Sequence, residues 1–305
     1  MSSWRKSTAT QYETYFKKWN SFCCRREISP LCVSEITAIE FLHELFSHDH
    51  SYSSLNTARS ALSTILWNDN GLTIGKYPSV KRFLKGVFET RPPLPRYIAT
   101  WDVNIVLCYL KNFFPLENVT LAQLTHKLVT LLALVTAQRA QTLSLFNTKY
   151  LVVDHEKCLF YIRENLKNSS SRVPVPIIPI HRFEDQSLCP IAHLEEYLKR
   201  TKEIRKSDKL FVSWNKPHDA VSVDSISRWI KKTLYESGID TDIFKGHSSR
   251  SAAVSAANLN GTDIHTILKT AGWNNSKMFA KFYNKPVQFD CFTENDLVRG
   301  QRNLL

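Results

Sequence analysis

The sequence lacks the paired cysteines of a zinc or disulfide-stabilised protein. Its seven cysteines are odd in number and scattered, and none form a CxxC pair. There is also no run of about 18 apolar residues, and the opening stretch MSSWRKSTATQYETYFKKW has no apolar signal core. These absences argue against a disulfide framework, a zinc site, a membrane span and a secretory signal. We therefore expect an intracellular, soluble protein from a reducing compartment.

What the chain does have is an excess of positive charge. It carries 40 Lys and Arg against 28 Asp and Glu, which gives a formal net charge of +12 and a pI near 9.3. Residues 1–95 hold 12 basic and 8 acidic side chains, so both halves of the chain are basic. This balance predicts a polyanionic partner. Charge alone leaves open the alternative that the extra lysines only aid solubility.

The length of 305 residues favours two domains. Residues 1–90 are predicted to form a compact helical domain whose aromatic side chains are core. The segment ETRPPLPRY is rich in proline, so residues 91–99 are the predicted linker. Residues 100–305 form the second domain, with 286–305 as its tail. The predicted helices of the first domain cover residues 7–26, 34–46, 51–71 and 78–89.

The second domain is predicted to be mixed, mainly α. A helix is expected to follow Thr100 as its cap, and another to run through 116–146. The runs YLVVD, CLFYIREN and RVPVPIIPI are β-rich and separated by polar turns, which predicts a small antiparallel sheet. Helical patterns then return and continue to the segment NSKMFAKFY.

Two cationic residues in this domain stand in unusual surroundings. Arg139 lies in VTAQRAQTLSL at the end of an apolar stretch, where burial is costly unless the charge meets an anion. No acidic residue lies between Arg139 and Asp154, which favours a ligand anion over the alternative of a structural salt bridge. Lys167 lies between the second and third β-runs in NLKNSSSRVPV. Alone, such a lysine is a solvated hairpin residue.

The segment GHSSRSAAV places His247 three residues before Arg250 among small side chains. Small residues let a backbone or a ligand approach closely, so this pair either supports a turn and a helix start or binds a phosphate. Downstream, AGWNNSKMFAKFYNKP carries Trp273 and Tyr283. On its own, Tyr283 reads as a partly buried tyrosine near a helix end.

In this order, R…K…HxxR…W…Y on a basic two-domain chain resembles the tyrosine recombinase (phage-integrase-like) family, over essentially the whole chain. The segments FLKGVFETRPPLPRY, LLALVTAQRAQTL and GWNNSKMFAKFYNKP look closest to recombinases of eukaryotic DIRS-like and Ngaro-type retrotransposons. The gap from Arg250 to Trp273 is typical of the family. Thr142 departs from it, because many members carry an acid there. The gap from Trp273 to Tyr283 is one residue longer than common.

The resemblance implies a helical, SAM-like core-binding domain and a mixed, mainly α catalytic domain that together form a C-shaped clamp around duplex DNA. It implies site-specific recombination through a 3′-phosphotyrosyl intermediate, with integration of a retrotransposon DNA circle and with no metal or other cofactor. Tyr283 matches the nucleophile. The other catalytic positions carried over are Arg139, Lys167, His247, Arg250 and Trp273.

The chemistry of these residue types agrees with that assignment. Attack on a phosphodiester builds negative charge on the non-bridging oxygens, which arginine forks stabilise. His247 and the indole N–H of Trp273 add hydrogen bonds, and Lys167 can protonate the departing 5′ oxygen. A tyrosine hydroxyl has an intrinsic pKa of about 10, so it needs neighbouring cations to react. Whether His247 takes the tyrosine proton or binds the phosphate stays open.

The resemblance also implies the partners, which are double-stranded DNA and further copies of the chain, four protomers on two DNA sites, in the nucleus. Two rival functions remain, a type IB topoisomerase-like relaxing enzyme and a DNA-binding protein that has lost catalysis, for which Thr142 is the one hint. The predicted DNA-binding side chains are Lys17, Lys18, Arg59, Lys81, Arg82 and Lys85.

Overall fold

The computed structural model describes residues 4–31, 34–67, 71–95, 97–164, 166, 176–273, 279–280 and 283–288. The chain divides into two compact units, Met1–Pro95 and Arg96–Leu305. The division falls inside the proline-rich segment. Among the helices described, none is both long enough and apolar enough to cross a membrane.

The described residues of the first unit contain four α-helices, as predicted. Its core holds Trp19, Phe22 and Phe41, whose rings pack edge-on or stacked at centroid distances of 5.2–5.6 Å. These aromatic side chains are buried and serve the core. The helices are α1 (Lys6–Arg25), α2 (Glu35–Ser47), α3 (Tyr52–Leu62) and α4 (Pro78–Thr90).

Helix α3 is shorter than its sequence pattern predicts. The pattern extended to Gly71, whereas the helix ends at Leu62. The hydroxyls of Ser63 and Thr64 donate to backbone carbonyls of the last turn, at 2.7 and 2.6 Å, and the Ser63 oxygen accepts from the Gly75 amide at 2.9 Å. Such local side-chain bonds compete with continued helix, which explains the early end.

The second unit is organised around one central helix, α6, which is buried on nearly every side and packs against α8, α9 and α10. It starts at a capping box in which Thr120 and Gln123 satisfy each other's backbone amides. The α-helices whose bounds are described in this unit are α5 (Val103–Lys111), α6 (Leu121–Thr136), α7 (Ala140–Leu143), α8 (Pro190–Thr201), α9 (Val223–Glu236), α10 (Ser248–Leu259) and α11 (Ile264–Ala271).

The three β-runs form the predicted antiparallel sheet. Its strands are β2 (Leu151–Val153), β3 (Lys157–Tyr161) and β4 (Ile177–His181), in that spatial order. Cys158 pairs with Ile180 and Phe160 with Ile178, and all four side chains face the core. Alternate burial along β3 and β4 follows the period-2 pattern of a half-buried sheet.

A second, very small sheet was not predicted. Strand β1 (Thr100–Trp101) pairs in parallel with β5 (Val287–Gln288), so a segment close behind Tyr283 lies against the start of this unit. Thr100 is therefore a strand residue, and its predicted role as a helix cap is wrong. Asp102 caps α5 instead, since its carboxylate accepts the Asn104 amide hydrogen at 2.9 Å. Two-residue strands carry too little pattern to be seen in a sequence.

Candidate active site

Arg139 is positioned by a break in the long apolar helix. The predicted helix over 116–146 ends at Thr136, because Ala137 adopts a left-handed conformation with φ +49°. The backbone of Arg139 is extended, and the residue stands at the start of the short helix α7. Its side chain is half-buried. The break therefore turns Arg139 away from the helix line and toward α10.

Helix α10 supplies the next two predicted residues. His247 is the residue that precedes its first turn and is exposed, whereas Arg250 lies in the first turn and is 0% exposed. The turn is held from behind by Trp101, whose indole N–H donates to the Ser248 hydroxyl at 2.9 Å. His247 and Arg250 thus start from one fixed helix end.

The guanidinium of Arg250 is bound to two helix ends at once. Its terminal nitrogens donate to the carbonyls of Ala137 and Ala271, each at 2.6 Å. Both carbonyls lie where a helix stops and have no partner within their own helix. The third nitrogen, Nε, is buried and has no hydrogen-bond partner. Arg250 therefore joins α6, α10 and α11 beneath the site.

Two aromatic rings lie over this guanidinium. The Trp273 ring centroid is 4.2 Å from the Arg250 Cζ, and the Tyr283 centroid is 5.5 Å away. The two rings pack on each other at 4.4 Å, and the His247 ring lies edge-on to Tyr283 at 6.4 Å. Cation–π contacts of this kind stabilise a desolvated arginine. The structure thus brings His247, Arg250, Trp273 and Tyr283 into one cluster.

The electrostatics of the cluster are dominated by two neighbouring arginines. Burial and, after it, the nearby charge of Arg139 lower the pKa of Arg250 to about 10, while Tyr283 acts in the opposite direction. Even so, Arg250 is charged at neutral pH. Among the residues that the structure describes, no carboxylate pairs with Arg139 or Arg250. Two close cations without a counterion favour binding of an anion.

Two further predicted positions are Lys167 and Thr142. Lys167 lies outside the described residues, so its assignment stays a prediction. Thr142, at the position where family members often carry an acid, is buried in α7 and brings no negative charge to the arginines.

Sequence reasoning missed the groups that support the arginines. The carbonyls of Ala137 and Ala271 carry no side-chain signal. Gln138 donates its side-chain amide to the Thr270 carbonyl at 2.7 Å and so ties the α6 break to α11. Its position beside Arg139 in VTAQRAQTL was the only available hint. Gly246 allows α10 to start against α9, where a Cβ would lie 2.8 Å from the Ser227 carbonyl oxygen.

The six predicted DNA-binding residues all lie in the first unit. Lys81, Arg82 and Lys85 are exposed on α4, opposite the side that buries Val80 and Leu84. They form one basic face, called here the α4 basic face.

The other three DNA-binding candidates are engaged within the unit. Lys17 pairs with Glu13 at 2.7 Å, and Lys18 lies 2.7 Å from the His50 Nε2. Arg59 is half-buried, and one of its terminal nitrogens donates to the Ser60 hydroxyl at 3.4 Å. The α4 basic face is therefore the group of candidates whose charges are most available to a ligand.

No group of three or more His, Cys, Asp or Glu within the described part of the chain is arranged to hold a metal ion. The described cysteines, Cys23, Cys24, Cys108, Cys158 and Cys189, are free thiols.

Comparison with known proteins assigns the family. The sequence model of the phage integrase family matches residues 115–288, which is more than half of the chain and includes all six predicted catalytic positions. Among curated proteins, no sequence matches.

Solved structures share the fold at low sequence identity. XerH site-specific recombinase bound to palindromic difH substrate has a TM-score of 0.61 at 12% identity, covering 96% of this chain and 78% of that one. The Tn1549 transposon integrase in complex with transposon right end DNA has a TM-score of 0.60 at 14% identity, covering 99% of this chain and 95% of that one. A lambda integrase tetramer bound to a Holliday junction has a TM-score of 0.53 at 17% identity, covering 96% of this chain and 76% of that one. Together with the family match over residues 115–288, this fold shows that the chain belongs to the phage integrase family.

Proposed function

We propose that this chain cleaves and rejoins DNA strands, with Tyr283 as the nucleophile. The observation that carries the proposal is the arginine pair without a counterion: Arg139 and Arg250 are close enough to repel each other, and no described carboxylate neutralises them. A phosphodiester supplies that missing charge and fits the planar guanidinium fork. The Tyr283 ring lies over the same cation. Nucleophile and phosphate-binding groups therefore share one place.

In the proposed reaction the Tyr283 oxygen attacks phosphorus and the P–O5′ bond breaks. Arg139 and Arg250 stabilise the charge that develops on the non-bridging oxygens. Lys167 donates a proton to the departing 5′ oxygen, and the tyrosine proton passes to His247 or to solvent. The 3′-phosphotyrosyl bond keeps the energy of the broken linkage, so a free 5′-hydroxyl can reverse the step without ATP.

Arg250 can take part without giving up its structural bonds. A guanidinium has five N–H donors, of which two are used on the carbonyls of Ala137 and Ala271. Of the others, Nε has no hydrogen-bond partner, and the rings of Trp273 and Tyr283 lie over the guanidinium. The phosphate is proposed to bind through the donors that the two carbonyls leave.

The finer parts of the proposal are that two units clamp duplex DNA, that four protomers act on two DNA sites, and that the product is an integrated retrotransposon circle in the nucleus. Support comes from the neighbours of similar fold, each of which is a DNA complex and one a tetramer on a Holliday junction. The resemblance of three segments to DIRS-like and Ngaro-type recombinases supports the choice of element.

The test is covalent trapping on nicked duplexes that span candidate junction sequences, in EDTA and without ATP. Wild type is compared with Tyr283→Phe and with Tyr235→Phe, a matched control because Tyr235 is 71% exposed. We expect a slow band on a denaturing gel for wild type and Tyr235→Phe, and none for Tyr283→Phe. An unchanged band with Tyr283→Phe contradicts the assignment. Exchange between two sites, rather than relaxation of one plasmid, distinguishes recombination from topoisomerase action.

A second candidate is DNA binding without cleavage. Two observations favour it, namely the uncharged Thr142 at the family's acidic position and the complete burial of Arg250. Under this reading wild type binds duplexes in a salt-sensitive way but forms no covalent band on any junction sequence. Tyr283→Phe then changes neither affinity nor product.

A further inference from the structure

We propose that Ser255 is a positioning residue that keeps the main chain around Tyr283 in register with the helix carrying Arg250. The inference rests on the proposed cleavage by Tyr283, and it concerns a residue outside the predicted catalytic set.

The hydroxyl of Ser255 makes two bonds to the chain that flanks Tyr283. It donates to the Tyr283 carbonyl at 2.8 Å and accepts the Lys285 amide hydrogen at 3.1 Å. Ser255 lies in α10, the helix that begins after His247 and contains Arg250, and it is 1% exposed. One buried hydroxyl thus connects the Tyr283 carbonyl and the segment that follows it to the helix that carries Arg250.

The remaining polar group of the Tyr283 backbone is also bound. Its amide donates to the Phe279 carbonyl at 2.9 Å, and the Phe279 ring is buried in a small core with Val254 and Ile267. With both N–H and C=O of Tyr283 held, the freedom that remains is rotation of its side chain. That is the freedom which attack on a phosphate uses.

The chain after Tyr283 is held further along as well. The Lys285 ammonium donates to the Tyr97 carbonyl and lies 4.2 Å from the Tyr97 ring centroid. The Pro286 carbonyl accepts the Thr100 amide hydrogen at 2.8 Å, just before β1 and β5 pair. These bonds hold residues 285–287, whereas the Ser255 hydroxyl also bonds to Tyr283 itself.

Ser251 provides a matched control on the same helix. It is equally buried, and its hydroxyl faces the same Tyr283 carbonyl at 3.5 Å, the outer limit of a hydrogen bond. Ser255→Ala removes both bonds to the tyrosine segment, whereas Ser251→Ala removes only this weak one. If the loss of any buried serine hydroxyl in α10 disturbs the protein, the two variants should show the same effect.

The first measurement is independent of catalysis. Hydrogen–deuterium exchange of the peptide that contains Lys285 reports its amide, which donates to the Ser255 hydroxyl at 3.1 Å and to the Tyr283 carbonyl at 3.0 Å. Loss of the Ser255 hydroxyl leaves only the strained bond between residues two apart. We expect faster exchange in Ser255→Ala, wild-type exchange in Ser251→Ala, and restored protection in Ser255→Thr, which keeps the hydroxyl. Exchange equal to wild type in folded Ser255→Ala overturns the contact.

The second measurement is the rate of covalent complex formation on a nicked duplex that wild type cleaves, with duplex affinity measured in parallel. A misplacement of about 1 Å can slow an oriented reaction by about 100-fold. We therefore expect Ser255→Ala to form the complex about 10–100-fold more slowly, with the half-saturating duplex concentration within about twofold of wild type. Ser251→Ala and Ser255→Thr should stay close to the wild-type rate.

The outcomes separate the inference from the proposed function. If Ser255→Ala and Ser251→Ala form the covalent complex at equal rates, the positioning role is overturned while cleavage by Tyr283 stands. The same conclusion follows if Ser255→Ala loses rate and duplex affinity by equal factors. If wild type forms no covalent complex on any junction, the proposed function fails. The positioning role then falls with it, and the exchange data still decide whether the contact exists.

Discussion

At the scale of single residues, two buried cations without carboxylate partners show how position decides role. Arg250 and Lys127 are both 0% exposed, and each is held by backbone carbonyls. Arg250 lies under two aromatic rings and beside a second cation, Arg139. Lys127 lies within the α6–α8 core and makes one bond, to the Phe113 carbonyl at 2.8 Å. Under the proposed function Arg250 binds a phosphate, whereas Lys127 only lowers stability.

The arginine pair predicts stabilisation by a free anion. Inorganic phosphate at ten times its dissociation constant should add about 1.4 kcal/mol to the free energy of unfolding. For a chain of 305 residues that is a rise of roughly 2 °C in Tm. The rise is measured by thermal unfolding against sodium chloride at matched ionic strength. Arg139→Ala should remove it. A rise that persists in Arg139→Ala, or that chloride reproduces, contradicts a phosphate site at these two arginines.

The buried lysine predicts a stabilising substitution. Burial lowers the pKa of Lys127 to about 8, so at pH 7 the folded state holds the proton at a cost of a few kcal/mol that the unfolded state does not bear. Lys127→Met removes this cost but leaves the Phe113 carbonyl unbonded. We expect it to raise the free energy of unfolding at pH 7 by about 1–3 kcal/mol.

The pH dependence provides the check. The lowered pKa means that wild type loses its proton in the folded state near pH 8 and in the unfolded state only near 10.5. Wild type therefore gains stability relative to Lys127→Met as pH rises between these values. Denaturant unfolding of both proteins at pH 7 and pH 10 measures the difference between their free energies of unfolding. This difference should be smaller at pH 10 than at pH 7. A difference that stays constant refutes this account of Lys127.

At the scale of elements, the site depends on how closely α10 approaches α9. Gly246 lies at this contact, and a Cβ there would meet the Ser227 carbonyl oxygen at 2.8 Å and the Ile230 Cβ at 3.5 Å. A helix backbone cannot yield as a flexible side chain does, so the two helices must separate to accept a methyl group. His247 follows directly and would move with the turn.

Gly246→Ala should therefore lower the free energy of unfolding by about 1–3 kcal/mol and slow covalent complex formation. Gly86 in α4 is the matched control, because a Cβ there meets nothing within 4 Å. Gly86→Ala should instead stabilise by about 0.5–1 kcal/mol, since alanine favours helix. Denaturant unfolding of the two variants measures both changes in the free energy of unfolding, which should have opposite signs. Equal effects would mean that the α9–α10 contact does not limit the site.

At the scale of the whole molecule, the net charge of +12 is available to a polyanion only where cations are exposed and unengaged. Several basic side chains form ion pairs within the chain, such as Arg25 with Glu44 and Arg182 with Glu195. The side chains of the α4 basic face, Lys81, Arg82 and Lys85, instead project into solvent, away from the core side of α4. We therefore propose this face for phosphate contacts.

Changing Lys81, Arg82 and Lys85 to glutamine together should weaken binding to a mixed-sequence duplex and flatten its salt dependence. Each phosphate contact contributes a slope of roughly 0.9 in log affinity against log salt, so the slope should fall by about 2–3. Titrations at several salt concentrations measure it. The control changes three other exposed lysines, Lys199, Lys202 and Lys206. An equal loss in the control would indicate general charge rather than a binding face.

The sequence predicted the helices and the three-stranded sheet because their periodicity is local and strong. It missed the ends and breaks, where single bonds decide. Helix α3 stops at Leu62 through hydroxyl bonds from Ser63 and Thr64. The break at Ala137 puts a non-glycine residue in a left-handed conformation, and its carbonyl accepts from Arg250, which is 113 residues away. A partner so distant leaves no periodic trace.

By itself, then, the sequence determined the helical first unit, the mixed second unit and the candidate residues Arg139, His247, Arg250, Trp273 and Tyr283, because residue type and order carry that information. Only the tertiary structure decided that Arg250 is sealed beneath two rings, and that Ser255 reaches the Tyr283 backbone. The physical reason is that hydrogen bonds and ring contacts between helix ends depend on chain packing in three dimensions, whereas a sequence pattern records only which faces are apolar.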